Sequence, residues 1–357
     1  MTNQVGVAVI GAGYWGTKLV REYKLAQQKK GNVGLLKVCD SSLAALIAHK
    51  EPFSLFDGLL TLKVDDLIAD PEISAVHIAT PNRTHYTIAK AALEAGKDVI
   101  IEKPMTLHSS EAYELADLAD SLGRVLHVGH IFRYNSALRI ACQLLKSGTI
   151  GKVFYVRIQW TDSSYFPDRD IVFDLGPHPV DVLNQLLDAW PTQVSGFARA
   201  YRNGRESPEV AYGIAEFADG VFAHMELSWL QPGKVREATV VGSEGKLVID
   251  CVGQHVSKTT GDKTEMIPVT ANNTIEAEIE HFIDCVAKRD TSTKTGLIGA
   301  RTVDVLEKIR ASMWERPYPI IRPPGDKIVD VVAFDESEKR SRLRGKSESH
   351  GRSVSEE

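Results

Sequence analysis

The sequence predicts an α/β fold: a doubly wound parallel sheet first, then an α+β part built on a largely antiparallel, open sheet. Three observations carry that expectation. Residues 5 to 16 read Val-Gly-Val-Ala-Val-Ile-Gly-Ala-Gly-Tyr-Trp-Gly, an apolar strand run opening into a glycine-rich turn. Strand-like and helix-like segments then alternate to about residue 128, as βαβ units do. Beyond that point short strand-like runs succeed one another with tight turns between them.

Val5 to Ile10 is apolar enough for a strand buried on both faces. Gly11-x-Gly13-x-x-Gly16 closes it. Gly11 permits the tight turn, and Gly13 lets the backbone approach a pyrophosphate. Gly16 lets the helix from about Tyr14 pack close to the sheet. Leu35 to Cys39 is the second strand, and Asp40 at its end completes the Rossmann-type dinucleotide pattern. A carboxylate there accepts hydrogen bonds from an adenosine ribose and repels a 2′-phosphate. At an effective dielectric of about 20, that repulsion is roughly 4 kcal/mol at 4 Å. Ser41 and Ser42 follow, with no arginine to compensate, so NAD is favoured over NADP. Asp40 can also cap the helix beginning near Leu43.

Ala75 to Ala79 is the next buried strand, ended by Thr80-Pro81-Asn82, and Thr84 to Ala95 has helical periodicity stopped by Gly96. Lys97 to Ile101 is a strand broken at Pro104. Ser109 to Leu122 is a helix, and Val125 to Val128 a last short strand. A helix over 136–146 leads into a strand at Lys152 to Trp160, and a helix over 177–188 follows. Strands are expected at Val194 to Tyr201, Ala211 to Phe217, Val221 to Trp229, Glu237 to Val241 and Lys246 to Asp250, with Gly242 to Gly245 as a hairpin connection. Ile275, Ile279, Phe282, Ile283 and Val286 make one core-facing helical stripe. The boundaries that follow are a dinucleotide-binding unit over 1–128 and an α+β unit over 129–330. From Asp335 onward almost nothing is apolar, so 335–357 is expected to be a disordered tail.

Composition narrows the function classes. A chain of 357 residues with 43% hydrophobic content suits two cores. A net charge of −5 argues against nucleic acid or an anionic membrane as partner. No apolar run is long enough to span a bilayer. The first strand begins almost at the N-terminus, which leaves no room for a signal peptide and points to the cytoplasm. Cys39, Cys142, Cys251 and Cys285 are scattered, and read as reduced thiols outside any zinc site or disulfide frame.

Two further segments carry chemistry. Glu102-Lys103-Pro104 ends a strand, where the proline places the preceding side chains at the crevice. A lysine there suits holding a hydroxyl or polarising a carbonyl, although most strand-end lysines are merely solvated. Asp174-Leu-Gly-Pro-His178-Pro-Val-Asp181 places three polar side chains near one face if the helix is continuous. His178 can take a hydroxyl proton, with a carboxylate fixing its tautomer. The same triplet would also suit a metal site, or a capping histidine with no chemistry.

The glycine loop, the Glu-Lys-Pro and the Asp-x3-His, in this order, resemble the Gfo/Idh/MocA family of glucose–fructose oxidoreductase and inositol dehydrogenase type. Residues 78–85 and 129–135 also resemble family segments that line the crevice, and the likeness runs over roughly 4–325. It implies an NAD-dependent dehydrogenase of a secondary hydroxyl, with hydride passing to nicotinamide C4. Lys103 would polarise the oxygen, His178 would act as general base, and Asp174 would orient the pair, with no metal. Gly11, Gly13, Tyr14, Trp15, Gly16, Asp40, Thr80, Pro81, Asn82, His85, Glu102 and Lys103 would border the cofactor. The resemblance also implies a homodimer or homotetramer formed through the C-terminal sheet.

The family's usual glycine-rich stretch before the aspartate is replaced here by Pro167-Asp-Arg-Asp-Ile-Val-Phe173. That departure is similar to the sugar-nucleotide branch. Tyr165 could stack on a ring, and Arg169 could bind a phosphate or carboxylate, unless it pairs with Asp168, Asp170 or another acid. Arg133 is a further substrate candidate. Alternatives are a free polyol or inositol substrate, a lyase or hydrolase acting by transient oxidation, and a non-catalytic NAD-binding regulator.

Overall fold

The computed structural model describes residues 4–315, apart from 51, 54, 56, 164–168, 203–207 and 294. The 335–357 tail and Tyr165 therefore lie outside the described residues. Six strands form the first sheet: β1 (Val5–Ile10), β2 (Val33–Cys39), β3 (Leu60–Thr61), β4 (Ala75–Ile78), β5 (Asp98–Ile101) and β6 (Leu126–Val128). All pair in parallel, in the order β3-β2-β1-β4-β5-β6. This is the α/β arrangement the sequence implied. The order reverses between β1 and β4, and the crevice for a ligand opens at the carboxyl ends of those strands.

Helices α1 (Tyr14–Lys30), α2 (Leu43–Lys50), α3 (Val64–Ala69), α4 (His85–Glu94) and α5 (Ser109–Ser121) link these strands. After β6 come a short 3-10 turn (Ile131–Tyr134), α6 (Ser136–Lys146) and β7 (Val153–Thr161). Two helices, α7 (Ile171–Leu175) and α8 (Pro177–Leu187), meet at Gly176. The second sheet is completed by β8 (Gln193–Arg199), β9 (Val210–Glu216), β10 (Phe222–Ser228), β11 (Val235–Gly242), β12 (Gly245–Asp250), β13 (His255–Thr260) and β14 (Lys263–Ile267). Its order is β14-β13-β12-β11-β7-β10-β9-β8, antiparallel except for the β7–β10 pair. Gly242 faces Gly245 across the β11–β12 hairpin, as expected.

The last two helices, α9 (Thr274–Lys288) and α10 (Thr295–Glu315), follow the second sheet in sequence but pack on the first. Ile279, Phe282, Ile283 and Val286 of α9 are buried in one cluster with Val7, Val9 and Leu19. The stripe is core-facing as read, but the core belongs to β1 and α1. Helix α10 bridges both sheets. A Cβ on its Gly299 would lie 2.5 Å from Val128, while its Ile309 and Met313 crowd the bare Cα of Gly196 on β8. This 21-residue helix was not anticipated from the sequence. Its buried Ala300, Val303 and Leu306 at three-residue spacing were the available signal.

Candidate active site

Each glycine of the first turn has a distinct spatial reason. Gly11 has φ +104°, and a Cβ there would lie 2.5 Å from the Ala79 carbonyl oxygen. A Cβ on Gly16 would lie 1.9 Å from the Gly11 carbonyl oxygen, so α1 closes on the turn only without it. A Cβ on Gly13 would meet nothing within 4 Å; the space beside it is open. Helix α1 starts there with no side-chain cap and no acidic residue in its first turn. Its N–H groups and positive dipole end are thus available to an anion, and the residues fit a dinucleotide.

Asp40 accepts from the Ala12 N–H at 2.7 Å and from the Ser42 N–H at 2.8 Å. It braces the turn, and each carboxylate oxygen keeps capacity for a ribose hydroxyl. The Trp15 indole N–H donates to Glu102, tying the glycine turn to the end of β5. Glu102 is buried, 3.4 Å from His77 Nε2, in space that Gly129 leaves open, where a Cβ would stand 2.8 Å from its Oε2. Tyr14 stands in solvent, and its hydroxyl accepts from Lys18 Nζ at 2.9 Å. The Thr80 hydroxyl accepts from Thr84 at 2.8 Å, and Pro81 and Asn82 turn the chain into α4. His85 is buried behind the Thr80 loop, with its ring nitrogens against the carbonyl oxygens of Pro104 (3.0 Å) and Thr80 (2.9 Å). The ring, kept neutral by burial, donates to one of these carbonyls and packs against the other, which holds the two loops together.

Lys103 lies at the mouth of β5, joined to Pro104 by a cis peptide bond, and its Nζ donates to the Asp174 carbonyl oxygen at 3.0 Å. Burial pulls its pKa below the usual lysine value; the carboxylates of Asp174 and Glu102 oppose this, and Arg169 and Arg236 add to it. His178 stands between Phe132 (ring centroids 4.9 Å apart, 74°) and Trp160 (5.9 Å, 39°). Its Nδ1 is buried with no hydrogen-bond partner. Burial, and then the charge of Lys103, push its pKa well below the usual histidine value; His130, Arg236 and Lys234 act in the same direction.

Two further side chains stand here that the sequence reading did not single out. His130 is buried, neither ring nitrogen has a partner, and the charges of Asp181, Arg133, Glu102 and Lys103 all act on it. The signal was its place one residue beyond Gly129, at the end of β6. Arg236 is buried against the Trp160 face, 5.3 Å from the ring centroid, and donates to Thr161 O (2.7 Å) and Asp162 (2.5 Å). Nothing local in the sequence distinguishes it, because its partners are 74 and 75 residues away.

The Asp174–His178–Asp181 triplet does not converge. Gly176 itself keeps helical backbone angles (φ −63°, ψ −27°), yet the three side chains turn to separate partners. Asp174 accepts from Arg169 at 2.8 Å, and Asp181 from Arg133 at 2.7 Å and Gln185 at 2.9 Å, while His178 is bounded by aromatic rings. Asp174 therefore fixes no tautomer of His178; it positions Lys103 through its main chain. Among the described residues the triplet forms no metal-ligand group. Arg133, expected near substrate, also donates to Asn184 at 2.7 Å and borders a separate hollow of about 280 Å³ with Arg139 and Lys146. Arg169 pairs with Asp174, while Asp170 caps α7 and accepts from Arg310 at 2.7 Å; Asp168 lies outside the described residues.

An open glycine cradle at a parallel-sheet switch point, beside a lysine and a histidine, defines an NAD(P)-dependent oxidoreductase. Comparison with known proteins supplies the family. Residues 5–130 match the oxidoreductase family with an NAD-binding Rossmann fold, and 138–248 match the GFO/IDH/MocA C-terminal domain. The chain belongs to the Gfo/Idh/MocA family. It is 38% identical over 233 residues to the uncharacterized oxidoreductase YdgJ of Escherichia coli, spanning 61% of this chain and 63% of that protein. It is 30% identical over 259 residues to scyllo-inositol 2-dehydrogenase (NAD(+)) of Bacillus subtilis, covering 67% and 75%. It is 26% identical over 320 residues to UDP-N-acetylglucosamine 3-dehydrogenase of Acidithiobacillus ferrooxidans, covering 85% and 96%. The solved structure of that last enzyme superposes with a TM-score of 0.76 over 87% of this chain and 97% of that one, which shows the shared fold.

Proposed function

We propose that this protein is an NAD-dependent dehydrogenase that oxidises a secondary hydroxyl of a sugar or sugar nucleotide. The observation that carries the reading is the convergence of the Lys103 ammonium and an unpartnered His178 imidazole beside the glycine cradle. A bound nicotinamide would supply the hydride acceptor. Lys103, anchored on the Asp174 carbonyl, holds the substrate oxygen and stabilises negative charge growing on it. His178, neutral at physiological pH because of its surroundings, takes the hydroxyl proton at Nε2. Phe132 and Trp160 fix the plane of its ring. Asp40 directs the preference toward NAD. The relatives named above include one dehydrogenase of a free cyclitol and one of a UDP-linked amino sugar, which supports the broad substrate class.

The same reading includes a homo-oligomer formed through the second sheet. Tyr155, Tyr212, Ile214 and Phe222 are exposed on one face of β7, β9 and β10, where Phe222 lies opposite Tyr155 and His224 opposite Ile214. These exposed aromatic and aliphatic side chains, interleaved with Arg157, Glu216 and Glu226, suit a second copy of the chain. Turnover of a panel of UDP-sugars, free hexoses and inositols with NAD, followed as net NADH formation, tests the activity. Product formation without net NADH would instead support the transient-oxidation lyase or hydrolase. No turnover across the panel would overturn the reading.

A further inference from the structure

A second group of chemistry-bearing side chains lies away from this site, where α9 crosses the edge of the first sheet. His127 on β6 and His281 and Cys285 on α9 bring one ligand atom each to within 4.8 Å of one another. His281 and Cys285 are one helical turn apart, so both face β6. The Cys285 Sγ stands 3.6 Å from His281 Nε2. Two such ligands on one tetrahedral zinc ion are separated by about 3.5 Å, given Zn–S near 2.3 Å and Zn–N near 2.0–2.1 Å.

Two independent observations point to a ligand. His127 is buried, yet neither of its ring nitrogens has a hydrogen-bond partner. A buried polar ring with no partner is costly unless something satisfies it. The second is the support of His281: its Nδ1 is 2.9 Å from the Tyr134 hydroxyl, which leaves Nε2 directed at Cys285. Metal-bound histidines are held in this way through their other nitrogen.

We propose that His127, His281 and Cys285 form a zinc-binding site that clips α9 to the edge strand β6. Two imidazoles and a thiolate suit a borderline-soft divalent ion such as Zn²⁺ over magnesium or calcium, which prefer oxygen ligands. The charge of Asp290 acts on both imidazoles and would add to the attraction for a cation. The expected role is structural, because a fixed α9 steadies Tyr134 and the turn that carries Phe132 toward His178.

The test uses the full chain, stripped with a chelator and titrated with Co²⁺ as a spectroscopic probe. One equivalent per chain should bind, with a near-ultraviolet thiolate-to-cobalt band and strong visible absorption of a tetrahedral ion, and Zn²⁺ should displace it. Cys285→Ser should abolish the near-ultraviolet band, while Cys142→Ser, at a thiol outside the cluster, should leave it intact. Tyr134→Phe, which removes only the hydroxyl behind His281, should weaken Co²⁺ binding by about tenfold or more; because it keeps the ligands and the ring, it remains informative if Cys285→Ser fails to fold. Binding of less than one equivalent by the wild type, survival of the band in folded Cys285→Ser, or unchanged affinity in Tyr134→Phe would overturn the proposal.

Discussion

Lys103 reaches across the crevice from the first sheet and donates its ammonium to the main-chain carbonyl of Asp174, 3.0 Å away and 71 residues later in the chain. The aspartate thus holds the lysine with its backbone, while its carboxylate is turned to Arg169. That division of labour separates roles that the sequence merged, and it shapes the first two predictions.

Lys103→Ala and His178→Ala should each retain NAD affinity while losing about 10²-fold or more in kcat, as expected when an acid–base or oxygen-polarising group is removed. Calorimetric titration with NAD and steady-state turnover measure the two effects separately. Normal turnover in His178→Ala would make that residue structural.

Asp174→Asn preserves the main-chain carbonyl, so it should cost kcat at least tenfold less than Lys103→Ala. Arg169→Ala should leave NAD binding unchanged and raise KM for an anionic sugar about tenfold, through loss of roughly 1.5–3 kcal/mol of charge-assisted hydrogen bonding. An unchanged KM would mean that Arg169 takes no part in substrate binding.

The pH profile follows from two downward shifts. Oxidation needs His178 neutral, and its folded-state pKa lies well below the usual 6.5. The acid limb of kcat/KM should therefore fall below 6.5. Lys103 must stay protonated, and its pKa is drawn below 10.5, so the alkaline limb should appear below that value. An acid limb above pH 6.5 in wild type would contradict the surroundings described for His178.

Asp40→Ala should weaken NAD and narrow the gap to NADP, since the change removes a ribose acceptor and the repulsion of a 2′-phosphate together. It also frees the Ala12 and Ser42 N–H groups, so a loss of about 1 kcal/mol or more in stability is expected alongside. Equal wild-type affinity for the two cofactors, measured by fluorescence titration, would defeat the NAD preference.

Ile214→Asp on the open sheet face should shift the assembly toward smaller species in light scattering without altering the monomer's circular dichroism. A wild-type chain that is already monomeric at micromolar concentration would remove the oligomer reading.

Local spacing alone determined much of this protein. Gly11, Gly13 and Gly16 between an apolar strand and a helix specify a close backbone turn, because only a missing Cβ tolerates contacts of 2.5 and 1.9 Å. Strand–helix alternation specified the parallel sheet, and Lys103 and His178 stood out through their motifs. Tertiary structure decided what depends on distant partners. Spacing could not show that Asp174, His178 and Asp181 turn to separate partners, that His85 packs between the Pro104 and Thr80 carbonyls, or that Arg236 stands beside Trp160. Nor could it assign α9 to the core of β1, or join His127 to His281 across 154 residues. A sequence pattern reports which face of an element is apolar or polar; which other face it meets is set only when the whole chain packs.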